Sequence, residues 1–191
     1  MSYPFLREAL LVPFLITALS ICASPALSKA KPSEHTAAAE DKKGSKPSQV
    51  GSYGDWGVFV AQGDKSKTCY ALATPKERTP PGLTRDPAYM FIANRPGEHI
   101  RQEVSVILGF PVKEGAGARA ELTGSPGFDL VAKGTNAWIK NQAQEPQFVE
   151  ALKKAPRLTV KAPSVKGHVT TDSYALNGLA QALERVDKEC P

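Results

Sequence analysis

Apolar and polar residues alternate with a period of two along most of the chain from Tyr53 onward, the pattern of half-buried strands. D-W-G-V-F-V-A (55–61) and T-C-Y-A-L-A-T (68–74) flank a polar stretch in which Gly63-Asp64 supplies turn chemistry, so the three segments predict a hairpin. A-Y-M-F-I-A-N (88–94) and E-V-S-V-I-L-G-F (103–110) are rich in β-branched and aromatic residues and predict central strands. A-R-A-E-L-T (118–123) and F-D-L-V-A (128–132) bracket Gly124-Ser125-Pro126-Gly127 as a second hairpin, and 136–140, 157–161 and 169–171 add short strands. The period changes twice. Phe148, Val149 and Leu152 fall on one face of a helix over 145–155. Leu176, Leu179, Ala180, Leu183 and Val186 make the stripe of a C-terminal helix for which Asp172 or Ser173 offers an N-cap. The sum is a mainly β fold: a compact antiparallel β-sandwich or open barrel of about eight short strands, with a short helix near 145–155 and a C-terminal helix.

Before Tyr53 the pattern differs. After Arg7, residues 9–23 carry no charge, and small residues follow in S-P-A-L-S-K-A, which predicts a cleaved signal peptide over 1–30 with the cut after Ser28 or Ala30. Cys22 sits where a lipoprotein would be modified, but Ile21 before it is too bulky for that cleavage, so lipidation is not expected. Residues 31–53 lack large apolar side chains and read as a flexible basic linker; between Lys29 and Gly51 five lysines face two glutamates and one aspartate. The folded domain is then 54–191.

Export changes the meaning of the cysteines. Of the three in the chain, Cys22 leaves with the signal, and an oxidising compartment normally bonds an isolated pair. Cys69 and Cys190 are the pair that remains. Cys190 follows Val186 by four, on the buried side of the last helix, so the expected bridge ties the chain end to the first hairpin.

A net charge of +5 is compatible with weak attraction to anionic membrane or wall polymers. No basic run or aromatic–basic interleaving marks a nucleic-acid surface, and nucleic acid is not an expected partner. Catalytic signatures are also missing: there is no G-x-S-x-G, no H-E-x-x-H and no P-loop. Gly115-Ala116-Gly117-Ala118-Arg119-Ala120 matches a dinucleotide fingerprint by letter, yet a strand pattern follows it where a helix is required. His35, His99 and His168 are too scattered for a zinc site. No catalytic residue, cofactor or metal is therefore expected. The polar, proline-rich segment 75–87 is the candidate binding loop, with Arg78, Arg85 and Asp86 as its recognition groups, because guanidinium forks grip carboxylates and phosphates. Trp56 and Trp138 lie on predicted strands and are read as core residues in preference to sugar-stacking platforms.

W-G-V (56–58), T-C-Y (68–70), N-R-P-G-E-H-I-R-Q-E-V-S-V-I-L-G-F-P (94–111), G-T-N-A-W (134–138), T-T-D-S-Y-A-L-N-G (170–178) and the closing E-C (189–190) together resemble the invasion-associated locus B family over roughly 54–190. The resemblance implies an exported bacterial envelope protein, periplasmic or surface-associated, in a family linked to host-cell entry but without a defining biochemical activity. It supplies no catalytic residues. The expected function is a non-catalytic interaction protein whose partner is an unknown envelope or host-surface component. The alternatives are a small-ligand-binding module and, behind it, an enzyme acting on wall or sugar polymers.

Overall fold

The computed structural model describes residues 46–63 and 66–191. The expected signal peptide, its cleavage sites, Cys22, His35 and most of the linker lie outside the described residues, as does Asp64 of the first turn. Eleven strands form one antiparallel sheet: β1 (Ser48–Tyr53), β2 (Trp56–Gln62), β3 (Lys67–Ala73), β4 (Glu77–Thr79), β5 (Tyr89–Arg95), β6 (Ile100–Ile107), β7 (Ala118–Leu122), β8 (Phe128–Lys133), β9 (Asn136–Ile139), β10 (Arg157–Pro163) and β11 (Val169–Ala175). Their order across the sheet is β1-β2-β3-β5-β6-β9-β8-β7-β10-β11-β4. Among the described residues two α-helices accompany the sheet, α1 (Glu145–Lys154) and α2 (Leu179–Glu189).

The sheet curls until its ends meet. Three residues separate Ala73 at the end of β3 from Glu77 at the start of β4, a span of roughly 14 Å at most, although the two strands stand at opposite ends of the order. Hydrogen bonds cross the same gap: Trp56 Nε1 donates to the Ala175 carbonyl at 3.2 Å, and the Asp55 amide to Asn177 O at 3.1 Å. The architecture is an open barrel whose concave face is one continuous apolar core. Val58, Ala71, Ile92, Val104, Ala137, Leu130, Ala120, Val160 and Tyr174 enter it from successive strands. Phe148, Val149 and Leu152 of α1 and Leu179, Ala182, Leu183 and Val186 of α2 fill it from the helices; the predicted α1 stripe faces inward, whereas in the predicted α2 stripe Leu176 precedes the helix and Ala182 is buried in place of half-buried Ala180.

Several boundaries differ from the sequence reading. Order begins before the expected limit of the linker, because Ser48–Tyr53 pairs with β2 across a bulge between Gln49 and Gly51, and Val50 and Tyr53 pack against the core. Short polar β4 is also a strand, since β11 offers it a ladder: Thr79, Arg78 and Glu77 oppose Thr171, Asp172 and Ser173. Asp172 and Ser173 therefore do not cap the last helix. They belong to β11, whose Thr170, Asp172 and Tyr174 point inward, and α2 starts after Gly178. Gly178 has φ +84, and a Cβ there would stand 2.1 Å from the Tyr53 carbonyl, so only glycine lets the chain turn against the β1–β2 hairpin.

Cys69 on β3 and Cys190 after α2 are bridged, with Cα atoms 5.8 Å apart and both side chains buried. Buried Asn94, opposite Cys69 in the β3–β5 ladder, secures the same corner. Its Nδ2 donates to Asp187 Oδ1 at 2.8 Å and to the Cys190 carbonyl at 3.2 Å, and its Oδ1 accepts from the Gln102 amide at 2.9 Å. The expected tie between chain end and first hairpin is thus made covalently, and hydrogen bonds from Asn94 fasten the same chain end to β5.

Candidate anion-binding cleft

Arg78, Arg85 and Asp86 do converge, but not as an exposed recognition loop. Arg78 is consumed by the fold: Nε donates to Asp172 Oδ1 at 3.1 Å, Nη1 to the Asp86 carbonyl at 2.8 Å and Nη2 to the Leu108 carbonyl at 2.7 Å. It clamps β4, the 80–87 loop and the end of β6 together. Arg85, with a side chain only 6% exposed, folds inward to the same carboxylate oxygen at 3.4 Å and donates Nη2 to the Pro80 carbonyl at 3.2 Å. Asp86 contributes its backbone to these contacts and leaves its carboxylate at the surface. Arg78 and Arg85, expected as recognition groups of a binding loop, instead turn inward: the Asp172 carboxylate inside the barrel, 1% exposed, draws both guanidinium groups in.

This internal cluster is unbalanced. Two guanidinium groups share one carboxylate, and both approach Oδ1; Asp172 Oδ2 and the neighbouring Tyr174 hydroxyl are buried without a hydrogen-bond partner. Burial raises the Asp172 carboxyl above the usual carboxylate range, against the pull of Arg78 and then Arg85. Burial also raises the Tyr174 phenol, helped by the Asp172 charge. One positive charge of the Arg78–Asp172–Arg85 cluster is left over.

That surplus borders a cleft of about 300 Å³ between the loop 82–86, the segment 109–111 and the turn 164–168. Arg85 lies at its inner wall. Lys166 and His168 in the same lining stand exposed, and neither side chain has an ion-pair partner among the described residues. Leu83, Phe110 and Val165 supply apolar surface, and Asp86 is the one acidic group in the lining. Two of the five N–H donors of Arg85 are in use, so its fork retains donors for a ligand. The walls are built rigidly. Ser164 Oγ accepts from the His168 amide at 3.2 Å, Thr170 Oγ1 donates to the Ala162 carbonyl at 3.0 Å, and the Asp86 amide donates to Gly109 O at 2.8 Å. Gly109 has φ +71, and a Cβ there would meet the Asp86 carbonyl at 2.1 Å, so this close approach of loop to floor requires glycine.

The cleft can hold an anionic head by ion pairing and an apolar body by contact. It does not have the makings of a metal centre: no group of three His, Cys, Asp or Glu side chains comes together among the described residues. His99 is distant from His168 in role, closing the turn after β5 in a left-handed conformation. The two tryptophans separate. Trp56 is core, as expected, whereas Trp138 points outward from β9 and is exposed. The 164–168 side of the cleft was not read from the sequence; its signal was the clustering of Ser164, Lys166 and His168 around Gly167 between two strands. No family model, curated protein or solved structure matches the chain.

Proposed function

We propose that this chain is an exported bacterial envelope protein, periplasmic or surface-associated, of the invasion-associated locus B kind, and that it acts by binding without turnover. Its recognition site is the cleft at Arg85, and its ligand is a small molecule carrying a carboxylate or phosphate on an apolar body. The observation that carries this reading is the surplus positive charge of the Arg78–Asp172–Arg85 cluster at the wall of a cleft that also holds Lys166 and His168. A partly apolar concavity with a few converging polar groups is the usual form of a small-ligand site. Export is supported by the leader pattern of residues 1–30 and by a bridge between the two cysteines that remain after it. Neutral walls or a flat surface at this place would have favoured a protein partner instead.

Titration calorimetry of the oxidised domain with inorganic phosphate, with butyrate and with butyl phosphate tests the proposal. Butyl phosphate is expected to bind more tightly than inorganic phosphate because it also covers Phe110 and Val165, and Lys166→Glu is expected to weaken every anion at least tenfold. Binding should also fall as salt is raised. Equal affinity of wild type and Lys166→Glu for all three probes, or no binding of any, would remove the cleft as the recognition site.

A further inference from the structure

Trp138 is unexplained by the cleft. It lies on the convex face of the sheet, where Ala137 and Ile139 turn into the core and the indole turns out, 36% exposed. Its in-register neighbours across the sheet are Ser105 on β6 and Val131 on β8, small or slender side chains that leave the ring uncovered. The aromatic side chains of the same face, Phe59 stacked on Tyr70 at 5.5 Å and Tyr70 tilted against Phe91 at 5.6 Å, are occupied with one another, and Trp138 takes no part in those contacts. An open groove of about 600 Å³ runs beside the indole, bounded by Glu103, Lys140, Asn141 and Gln142.

We propose that this groove is a carbohydrate subsite, in which a pyranose ring lies on the Trp138 indole and its hydroxyls bond to the groups around it. A pyranose presents apolar C–H on one face and hydroxyls at its rim, so it needs an aromatic plate bordered by donors and acceptors, and that is the composition here. The charges fit an uncharged sugar. Glu103 shares the Arg95 guanidinium with Glu98, at 2.9 and 3.0 Å, and Lys140 adds a positive charge to the same lining, so the groove has acceptor oxygens without a strong field of one sign. Asn141 is fixed by its own bond, Oδ1 accepting from the Ala143 amide at 3.2 Å, which holds its side-chain position before any ligand arrives. A second copy of the chain fits less well. A whole tryptophan buries about 150–250 Å², and an exposed third of one beside Val131 falls far short of the roughly 800 Å² per partner that a stable dimer requires.

Trp56 is buried, so a change in fluorescence on adding sugar reports on Trp138. The oxidised domain is titrated with the tetrasaccharides of N-acetylglucosamine and of β-1,4-linked glucose, and sedimentation is followed without sugar. The proposal expects a saturable fluorescence change with at least one tetrasaccharide, weaker binding of the matching monosaccharide, a tenfold or greater loss in Trp138→Ala and a smaller loss in Trp138→Phe. Binding should survive Lys166→Glu, which alters the separate anion cleft. No saturable change with either sugar up to millimolar concentration overturns the proposal. So does undiminished binding by Trp138→Ala, and so does Trp138-dependent self-association without sugar, which would make the ring a contact between copies.

Discussion

Replacing Cys69 and Cys190 together by alanine removes a cross-link between residues 121 positions apart in sequence. Loop-closure entropy puts the stabilisation from such a bridge at roughly 5 kcal/mol, because the reduced unfolded chain regains the freedom the bridge denies it. That is a third or more of the roughly 5–15 kcal/mol by which a domain is stable. The native side should change little: both cysteines are buried beside Asn94, whose bonds to Asp187, Cys190 O and the Gln102 amide remain available to hold the end of α2 on β5 and β6. Urea unfolding of the oxidised wild type and the double variant, followed by far-ultraviolet circular dichroism, measures the difference. With a slope of about 2 kcal/mol per molar urea, the midpoint should fall by about 2.5 M. Reduced wild type should match the double variant. A fall of less than about 0.5 M would refute the reasoning, since the bridge would then constrain little in the unfolded chain.

Arg78→Met should lower stability by roughly 3 kcal/mol in the same urea assay, because it leaves a buried carboxylate with one partner fewer and frees the Asp86 and Leu108 carbonyls. Burial raises the Asp172 carboxyl, so the native state binds that proton more tightly than the unfolded chain does. The stability this gives is fully present below the ordinary carboxylate range and is lost as pH rises through the raised native value. Urea melts across that window should show wild type losing ground to Asp172→Asn with rising pH, and the opposite slope would mean that the guanidinium groups outweigh burial. Gly178→Ala should cost about 2 kcal/mol or more, from a left-handed backbone and a clash with the Tyr53 carbonyl, read as a lower thermal midpoint.

Much of the fold was legible because burial in a barrel imposes period two on strands and period 3.6 on helices, and the chain keeps both. Phe148, Val149 and Leu152 advertised α1, and Leu179, Leu183 and Val186 advertised α2. β1 and β4 were illegible for a physical reason: as the edge strands they bury little, and S-Q-V-G-S-Y and E-R-T have almost no apolar alternation. β11 was cut short for a different reason. Its inward positions hold Thr170, Asp172 and Tyr174, and the aspartate reads as a helix cap until two arginines are seen to meet it. The arginines of the 75–87 segment drew notice as chemistry, but which were spent on structure depends on the sheet's closure, which brings β11 under the loop. Trp138 could have been placed from its neighbours: Ala137 and Ile139 claim the inward phase of N-A-W-I, whereas in W-G-V-F-V Trp56 shares its phase with Val58.

The central functional claim is that charge left over by the Arg78–Asp172–Arg85 cluster makes the neighbouring cleft an anion site. Amide chemical-shift mapping of the ¹⁵N-labelled oxidised domain during a butyl phosphate titration, at constant ionic strength, tests it most directly. The account predicts saturable shifts concentrated at 82–86, 109–111 and 164–170, with little movement elsewhere. Shifts scattered over surface lysines in proportion to added anion, or none at those three segments, would contradict it.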